Sequence, residues 1–430
     1  MQHVLRATVL ALLLSIGVTS LSTLAAITAH AGEPLPGASV ESLLALAKEH
    51  NPDYATMRLE ADAALQRIVP AGALPDPTLR VELQDITMGG EQNPTLLPNR
   101  VGATRYLVMQ ELPWFGKRDL RRDIAALEAE GAKGRAMGNW AELSSRIKAG
   151  YAQFYYVHQS TGLSREILAL MARLEQVAQA RYAGGLATQQ DVIRAQVEQT
   201  NLRNELVALE GERRMIQARL NMLVARPADA PLAEPERLRA LPAPAQLDYA
   251  ALQERVRSRN PQLFAEEARI RAAEKTRALT YKNRFPDVAV GIAPMQSRNS
   301  IKEWELMVEM RIPLQQPTRR AQEREAEAML AAARTRKEAT ANQVLSDLAE
   351  AIAGIDAARS AETLTATSLL PQAELTYKAA LASYETGKVD FATLLDAQRQ
   401  ILQAKQNRIK AQAQGQARLA DIERILGEQL

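Results

Sequence analysis

The chain has 430 residues, with 53 Lys and Arg against 50 Asp and Glu, a net charge of +3, and no cysteine. The two signs are interspersed, which leaves no basic stripe for nucleic acid. The missing thiols exclude disulfides, thiolate metal sites, cysteine nucleophiles and a lipid anchor carried on an N-terminal Cys.

The N-terminus reads as a secretory signal over residues 1–31. His3 and Arg6 precede an apolar run from Ala7 to Leu14, extended by small and apolar residues to Ile27. Ala29-His30-Ala31 fits the small-x-small cleavage rule and would leave a chain starting at Gly32. The alternative is a membrane anchor helix, for which the dense apolar run is short. No later stretch reaches the ~18 apolar residues of a spanning helix. A membrane-crossing segment here would have to be built from strands.

The rest is an internal duplication: a first repeat over 32–226, a Pro- and Ala-rich linker over 227–244, and a second repeat over 245–430. Asn51-Pro52 recurs as Asn260-Pro261, Pro75-Asp76 as Pro286-Asp287, and Leu112-Pro113 as Ile312-Pro313. Tyr182-Ala183-Gly184-Gly185 recurs as Tyr384-Glu385-Thr386-Gly387. Each repeat opens with a helix, expected at about 39–70 and 246–283. Two strands follow, then a very long helical stretch at about 114–183 and 314–383. A Gly-containing turn leads into a last helix at about 188–225 and 390–427. Pro371 should kink or break the second long stretch. Ala, Leu, Arg, Glu and Gln dominate while aromatics are only 4%, which fits a mainly helical fold.

The strands carry the clearest pattern. From Glu303 to Ile312, one face is Trp304, Leu306, Val308, Met310 and Ile312, and the other Glu303, Glu305, Met307, Glu309 and Arg311. Such alternation marks a strand with one apolar and one wet face. Thr78 to Ile86 behaves alike; Val101 to Glu111 and Asp287 to Ala293 are weaker. Two placements are open: tilted transmembrane strands, or a small sheet packed on the helices. Four strands cannot close a membrane barrel, which needs about eight, and an open edge in lipid is not viable. If these strands span a membrane, several chains must share the wall, and three chains would give twelve strands.

A 70-residue helix is about 100 Å long. A closing and an opening helix end to end match that length, which suggests a cylinder wall of long rods and stacked half-rods. Leu202, Leu206, Leu209, Ile216, Leu220 and Leu223 follow heptad spacing, as do Leu395, Leu402 and Ile409,. The turns carry capping chemistry. Thr188 and Asp390 stand at matching N-cap positions, and Gly185 and Gly387 supply the left-handed residue that ends the incoming helix. Asp191 reads as a capping-box partner of Thr188. Trp114, Phe115 and Trp304 flank strands and suit a membrane interface; Trp140 suits core packing.

No Ser-His-Asp arrangement, P-loop or nucleotide fingerprint is present, so no catalytic residue and no cofactor is assigned. His50 and His158 lie far apart, and methionines such as Met307 and Met310 fit packing. No metal site is assigned.

These features resemble the outer-membrane efflux protein family typified by TolC. Ala73-Leu74-Pro75-Asp76-Pro77 and the run Gln110-Glu111-Leu112-Pro113-Trp114-Phe115-Gly116-Lys117-Arg118 resemble its heavy-metal efflux branch. The resemblance implies a homotrimer with a twelve-stranded β-barrel in outer-membrane lipid and a long α-helical barrel in the periplasm. It also implies two partners: a periplasmic adaptor and an inner-membrane pump of the resistance-nodulation-division type. The tips that would meet the adaptor are Gly184, Gly185, Leu186 and Thr188, with Gly387, Lys388, Val389 and Asp390. By the same resemblance Asp191 and Tyr384 match a gate contact, and Asp396 matches an acidic ring residue. Thr393 and Val389 depart from the family pattern, where an aspartate and an arginine occur. Two alternatives remain: a drug-efflux or type I protein-secretion channel of the same fold, and, more distantly, a soluble periplasmic coiled-coil protein.

Overall fold

The computed structural model describes residues 35–86, 96–297 and 299–430. The expected signal segment at 1–31 lies outside the described residues. Among them the order is α1 (Val40–His50), α2 (Pro52–Gln66), α3 (Ile68–Gly72), β1 (Thr78–Gln84), β2 (Ala103–Leu112), α4 (Lys117–Ala183) and α5 (Gln189–Leu223). The second half runs α6 (Tyr249–Arg259), α7 (Pro261–Lys282), β3 (Asp287–Ser297), β4 (Ser300–Arg311), α8 (Gln316–Leu364), α9 (Leu370–Glu385) and α10 (Phe391–Leu426). Both halves follow one plan, and helix dominates.

The opening helix of each half is not continuous. A proline pushes the residue before it out of the helical region, so Asn51 and Asn260 sit at ψ 120° and 124°. Each asparagine then does two jobs. Asn51 Oδ1 accepts from Tyr54 N, capping α2, while Nδ2 donates to the Leu223 carbonyl at the end of α5. Asn260 caps α7 through Leu263 N and donates to the Ile425 carbonyl near the end of α10. The duplicated dipeptide therefore pins an opening helix to a closing helix in each repeat. Both asparagines are buried, so losing either amide leaves a buried carbonyl unpaired,.

The second long stretch is interrupted, one turn ahead of Pro371. Residues Thr365–Leu369 form a π-helical turn, and Pro371 sits in the first turn of α9. The ring of Pro371 would meet the carbonyl of Thr367, and widening the preceding turn accommodates it without breaking the rod. Residues 316–385 thus remain one rod comparable with the 67 residues of α4, each about 100 Å long.

The rods pack side by side. Toward the turns the row runs α5, α4, α10, then α8–α9; at the other end α2, α4, α7 and α8 lie together. Five apolar clusters fill the seams among the described residues, three of them large. Leu43, Ile147, Tyr151 and Leu220 belong to the first, and Leu252, Leu348, Ile355, Leu419 and Ile422 to another. A third near the turns gathers Met171, Leu174, Leu394 and Phe391. The heptad positions Leu202, Leu209, Ile216, Leu220 and Leu223 are buried. A second stripe on α5 (Ile193, Val197, Val207, Met215 and Met222) is exposed, as are Leu364 and Leu375 at the opposite flank of the row.

The linker over 227–244 is extended but tied down. Ala233 N and Glu236 N donate to the Pro36 and Ala38 carbonyls, and Asn221 Nδ2 donates to Ala230 O. Arg239 and Lys148 both reach Glu423, at 3.0 and 2.7 Å. Lys148 and Glu423 are almost fully buried, so each charge depends on the other's presence,. The linker is thereby stitched to the segment before α1, to α5 and to the Lys148–Glu423 pair of α4 and α10.

Candidate functional site

The four strands form one antiparallel sheet in the order β1-β2-β3-β4. The register stacks apolar residues into rows across the sheet. Leu79 faces Val108, Val108 faces Ile292, and Ile292 faces Leu306. A second row joins Val290 and Val308, and a third joins Val288 and Met310. Leu306 is 75% exposed, and Leu79, Val108, Ile292, Val308, Met310 and Ile312 are exposed with it. A contiguous apolar face of this kind on a water-soluble chain would be a liability. The strand alternation expected from the sequence is correct, and the apolar face points away from the chain's own helices.

The opposite face carries the charges, set around the fully buried Leu107 and Ala293. Arg105 stands in the middle of it, 3.2 Å from Glu82 on β1 and 2.8 Å from Glu305 on β4. One guanidinium thus ties three strands together with carboxylates on either side. No local signal in the sequence singles out Arg105; the link appears only once the register is known. One edge each of β1 and β4 carries no strand among the described residues.

The aromatic residues gather where sheet meets helices. Trp114 stacks on Phe285 at 5.3 Å, with Phe115 edge-on at 5.8 Å. Phe115 is exposed and Trp114 half-buried. Phe285 is an addition to the residues expected from sequence. Lys117, almost fully buried, fixes this joint by donating to Asp287 Oδ1 and to the Phe285 carbonyl. The alternation puts Trp304 at the start of the fourth strand, next to Glu303. That strand starts at Ser300, so Trp304 lies four residues inside it, exposed on the apolar face opposite Pro294. From Ile312 to Trp304 the apolar stripe runs about 27 Å along the strand, close to the ~25 Å band of a membrane barrel. Trp140 packs against Tyr54 at 5.1 Å beside the first core cluster, as core packing requires.

The two turns share one backbone solution. Gly185 and Gly387 adopt φ of 70° and 74°. Leu186 N donates to the Arg181 carbonyl and Gly185 N to Tyr182; Lys388 N donates to Ser383 and Gly387 N to Tyr384. Each closes its helix by a Schellman motif. Thr188 and Asp390 then start α5 and α10. Asp191 Oδ2 accepts from Thr188 N at 3.3 Å, the capping-box contact,. Asp390 Oδ1 accepts from Thr393 Oγ1 at 2.7 Å and from Thr393 N at 3.0 Å, and these bonds hold its carboxyl below the usual range. Gly184, Leu186, Lys388 and Val389 complete the exposed or half-exposed turn surface.

The three residues matched to a gate are not joined into one hydrogen-bonded set. Asp191 serves its own cap. Tyr384 is almost fully buried, and its hydroxyl has no hydrogen-bond partner. Burial raises the phenol pKa, and the nearby Asp191 carboxylate adds to the effect. Asp396 is exposed and 3.4 Å from Arg399, whose guanidinium is held at 2.6 Å by the nearly buried Glu198. The negative charge expected at Asp396 therefore has a cation beside it. A residue that sequence reasoning passed over is Arg181. Its Nη1 donates to the Glu385 carbonyl at 2.8 Å, and its guanidinium lies 4.8 Å from the centre of the Tyr384 ring. One arginine of the first turn thus covers the tyrosine of the second.

Among the described residues no three His, Cys, Asp or Glu side chains converge as a metal site, and no helix is long and apolar enough to cross a membrane.

Comparison with known proteins gives a consistent picture. Residues 252–428 match the family model described as outer membrane efflux protein. The chain is similar to the cobalt-zinc-cadmium resistance protein CzcC of Cupriavidus metallidurans, 25% identical over 394 residues that cover 90% of each chain. Its fold is similar to that of CusC, with a TM-score of 0.79 at 17% identity over 90% of this chain and 92% of that one. It is also similar to the outer membrane protein VceC of Vibrio cholerae, with a TM-score of 0.77 at 18% identity, covering 91% and 96%.

Proposed function

We propose that this member of the outer membrane efflux protein family is one of three identical subunits of an outer-membrane exit duct for heavy-metal cations. The observation that carries the reading is the four-stranded sheet, with its outward apolar face, its charged inner face and its two unpaired edges. A sheet of four strands cannot close alone, and lipid does not tolerate an open edge. Three copies supply twelve strands, with the Arg105 face turned to water and the Leu306 face to lipid. The exposed flanks of the helical row, on α5 and on α8–α9, close a helical barrel in the same step.

In this reading energy comes from an inner-membrane pump of the resistance-nodulation-division type, the partner that the family resemblance implies. A periplasmic adaptor carries cargo from that pump to the exposed turns at Gly185 and Gly387. The secretory signal expected at 1–31 supports export across the inner membrane. The likeness to CzcC, a cobalt-zinc-cadmium resistance protein, supports divalent metal as cargo. The test is a deletion strain challenged with zinc, cobalt, cadmium and a panel of drugs. Sensitivity to the metals alone is expected; sensitivity to drugs alone moves the chain to the drug-efflux alternative.

The gate is assigned to Asp191, Tyr384 and Asp396. The buried, unpaired Tyr384 hydroxyl lies close enough to Asp191 to feel its charge. In planar bilayers, Asp191→Ala or Tyr384→Phe is expected to raise the resting conductance. Unchanged closure in both variants removes the assignment.

A further inference from the structure

We infer the residue-by-residue register of the seam between neighbouring copies, in which β1 of one chain pairs with β4 of the next so that Arg80 faces Glu309. This rests on the trimeric reading above and adds to it a specific pairing that the chain encodes twice.

The argument begins with the duplication. Pro75-Asp76 leads into β1 as Pro286-Asp287 leads into β3, whose first residue is Asp287, and Leu112-Pro113 closes β2 as Ile312-Pro313 follows β4. Aligning those landmarks makes Leu79 equivalent to Val290 and Val108 equivalent to Val308. The structure checks the alignment independently. Leu79 pairs with Val108 in the first hairpin, and Val290 with Val308 in the second. Thr78 pairs with Met109, and their equivalents Ala289 and Glu309 also pair. The two hairpins are the same object to the residue.

The β2–β3 seam is where one hairpin meets the next, and it is fully visible. Met109 faces Gly291, Val108 faces Ile292, and Arg105 faces Met295. A closed ring of hairpins repeats this seam between chains, with β4 in the place of β2 and the next copy's β1 in the place of β3. The equivalents are then fixed: Glu309 faces Arg80, Val308 faces Val81, Met310 faces Leu79, Arg311 faces Thr78, and Glu305 faces Gln84.

The chemistry selects this register over its neighbours. A slip of one residue turns every apolar side chain of one strand to the wet face. A slip of two keeps the faces but sets like charges opposite each other: Arg80 meets Arg311 and Glu82 meets Glu309 in one direction, and Glu82 meets Glu305 in the other. Like charges directly opposite destabilise a sheet, and opposite charges support it. In the inferred register no like pair occurs, and the lipid face continues unbroken as Leu79–Met310 and Val81–Val308. Arg80 is exposed, with only a 3.8 Å contact to Glu82 on its own strand, and Glu309 is in none of the chain's ion pairs among the described residues. Both are therefore available to each other.

The chain's lack of cysteine makes the test free of background. Full-length protein carrying Arg80→Cys with Glu309→Cys, or Val81→Cys with Val308→Cys, is oxidised in outer membranes and run on denaturing gels. Successive pairs along an antiparallel ladder alternate between close and wide spacing, so one of these two has the shorter Cβ separation a disulfide needs. That pair is expected to give covalent trimer. The shifted pairs Arg80→Cys with Arg311→Cys, and Arg80→Cys with Met307→Cys, are expected to give less than about a tenth as much. As a second readout, Arg80→Glu should lower the temperature at which the trimer dissociates in detergent, and adding Glu309→Arg should restore it. A shifted pair that cross-links best in intact trimers overturns the register and leaves the trimer standing. Protein that is monomeric in every variant and in the parent overturns both.

Discussion

Tyr182 and Tyr384 occupy the same place in two copies of the same turn, yet one is 49% exposed and the other 3%. Their backbones are held by equivalent hydrogen bonds, so the difference lies in what surrounds them. Phe391, fully buried, packs 5.4 Å from the Tyr384 ring, and the matching position in the first turn is Gln189. Arg181 covers Tyr384 from the other turn, and the residue matching Arg181 in the second repeat is Ser383. Duplication preserved the turn, whose geometry is set by Gly and capping residues. Two substitutions then made one tyrosine a surface group and the other part of a shared core. The second turn is thus the fixed one, and the first turn reaches across to hold it.

Replacing the buried ring should break this asymmetry most strongly. Phe391→Ala empties a fully buried site and should cost about 3–5 kcal/mol,. Hydrogen exchange in the first turns of α10 would report it as local opening, with α5 little changed. A cost below about 1 kcal/mol would mean the Tyr384 pocket collapses without it. Asp390→Ala comes next, at about 1 kcal/mol for a lost N-cap. Its pH dependence differs from that of the uncharged Thr188. The Asp390 carboxyl is held below its ordinary value of 3.8 by Thr393, first through the hydroxyl and then through the backbone N–H. A lowered carboxylate contributes stability that is fully present above pH 3.8 and is lost as pH falls through the lower folded value. Protection at the start of α10 should therefore fall below pH 3.8 in the parent and be flat in Asp390→Asn.

Arg181→Ala removes the bond to the Glu385 carbonyl and the cation over the Tyr384 ring. Together these contribute about 1 kcal/mol at a half-exposed site. Exchange should rise at residues 383–388, on the turn that does not contain the mutation. Opening confined to residues 181–186 would show that Arg181 serves only its own helix.

Much of this organisation is legible in the sequence, for physical reasons that also mark the limit. Alternation in β4 is a local pattern, so its two faces can be read directly, and capping at Thr188, Asp191 and Asp390 needs only neighbouring residues. The Asn51-Pro52 repeat is visible as a repeat, but its role is not. The bonds to Leu223 and Ile425 bridge chain segments far apart in sequence, so the proline marks the helix break but not what the asparagine there will hold. Arg105, Arg181 and Phe285 stay silent for the same reason, since nothing adjacent to them marks their partners. The residues proposed for the gate stand midway. Resemblance points to Asp191 and Tyr384, but only packing reveals that the tyrosine hydroxyl is enclosed and unpaired while the aspartate serves a cap.

The smallest effects test whether the comparison holds in the assembled protein. Tyr384→Phe removes a hydroxyl that is buried without a partner, so local stability should stay within about 0.5 kcal/mol of the parent or rise slightly,. Tyr182→Ala should likewise stay within about 0.5 kcal/mol, because an exposed ring off the core supports little,. The two values together are diagnostic. The isolated chain exposes Tyr182, but a neighbouring copy or an adaptor could cover the same ring. A loss above about 1 kcal/mol for Tyr182→Ala in purified trimer would place that ring in a subunit contact, because cost on this scale follows burial. A neutral result in the trimer, followed by weaker binding of the variant to adaptor, would leave Tyr182 as docking surface and keep the fixed turn and the reaching turn distinct.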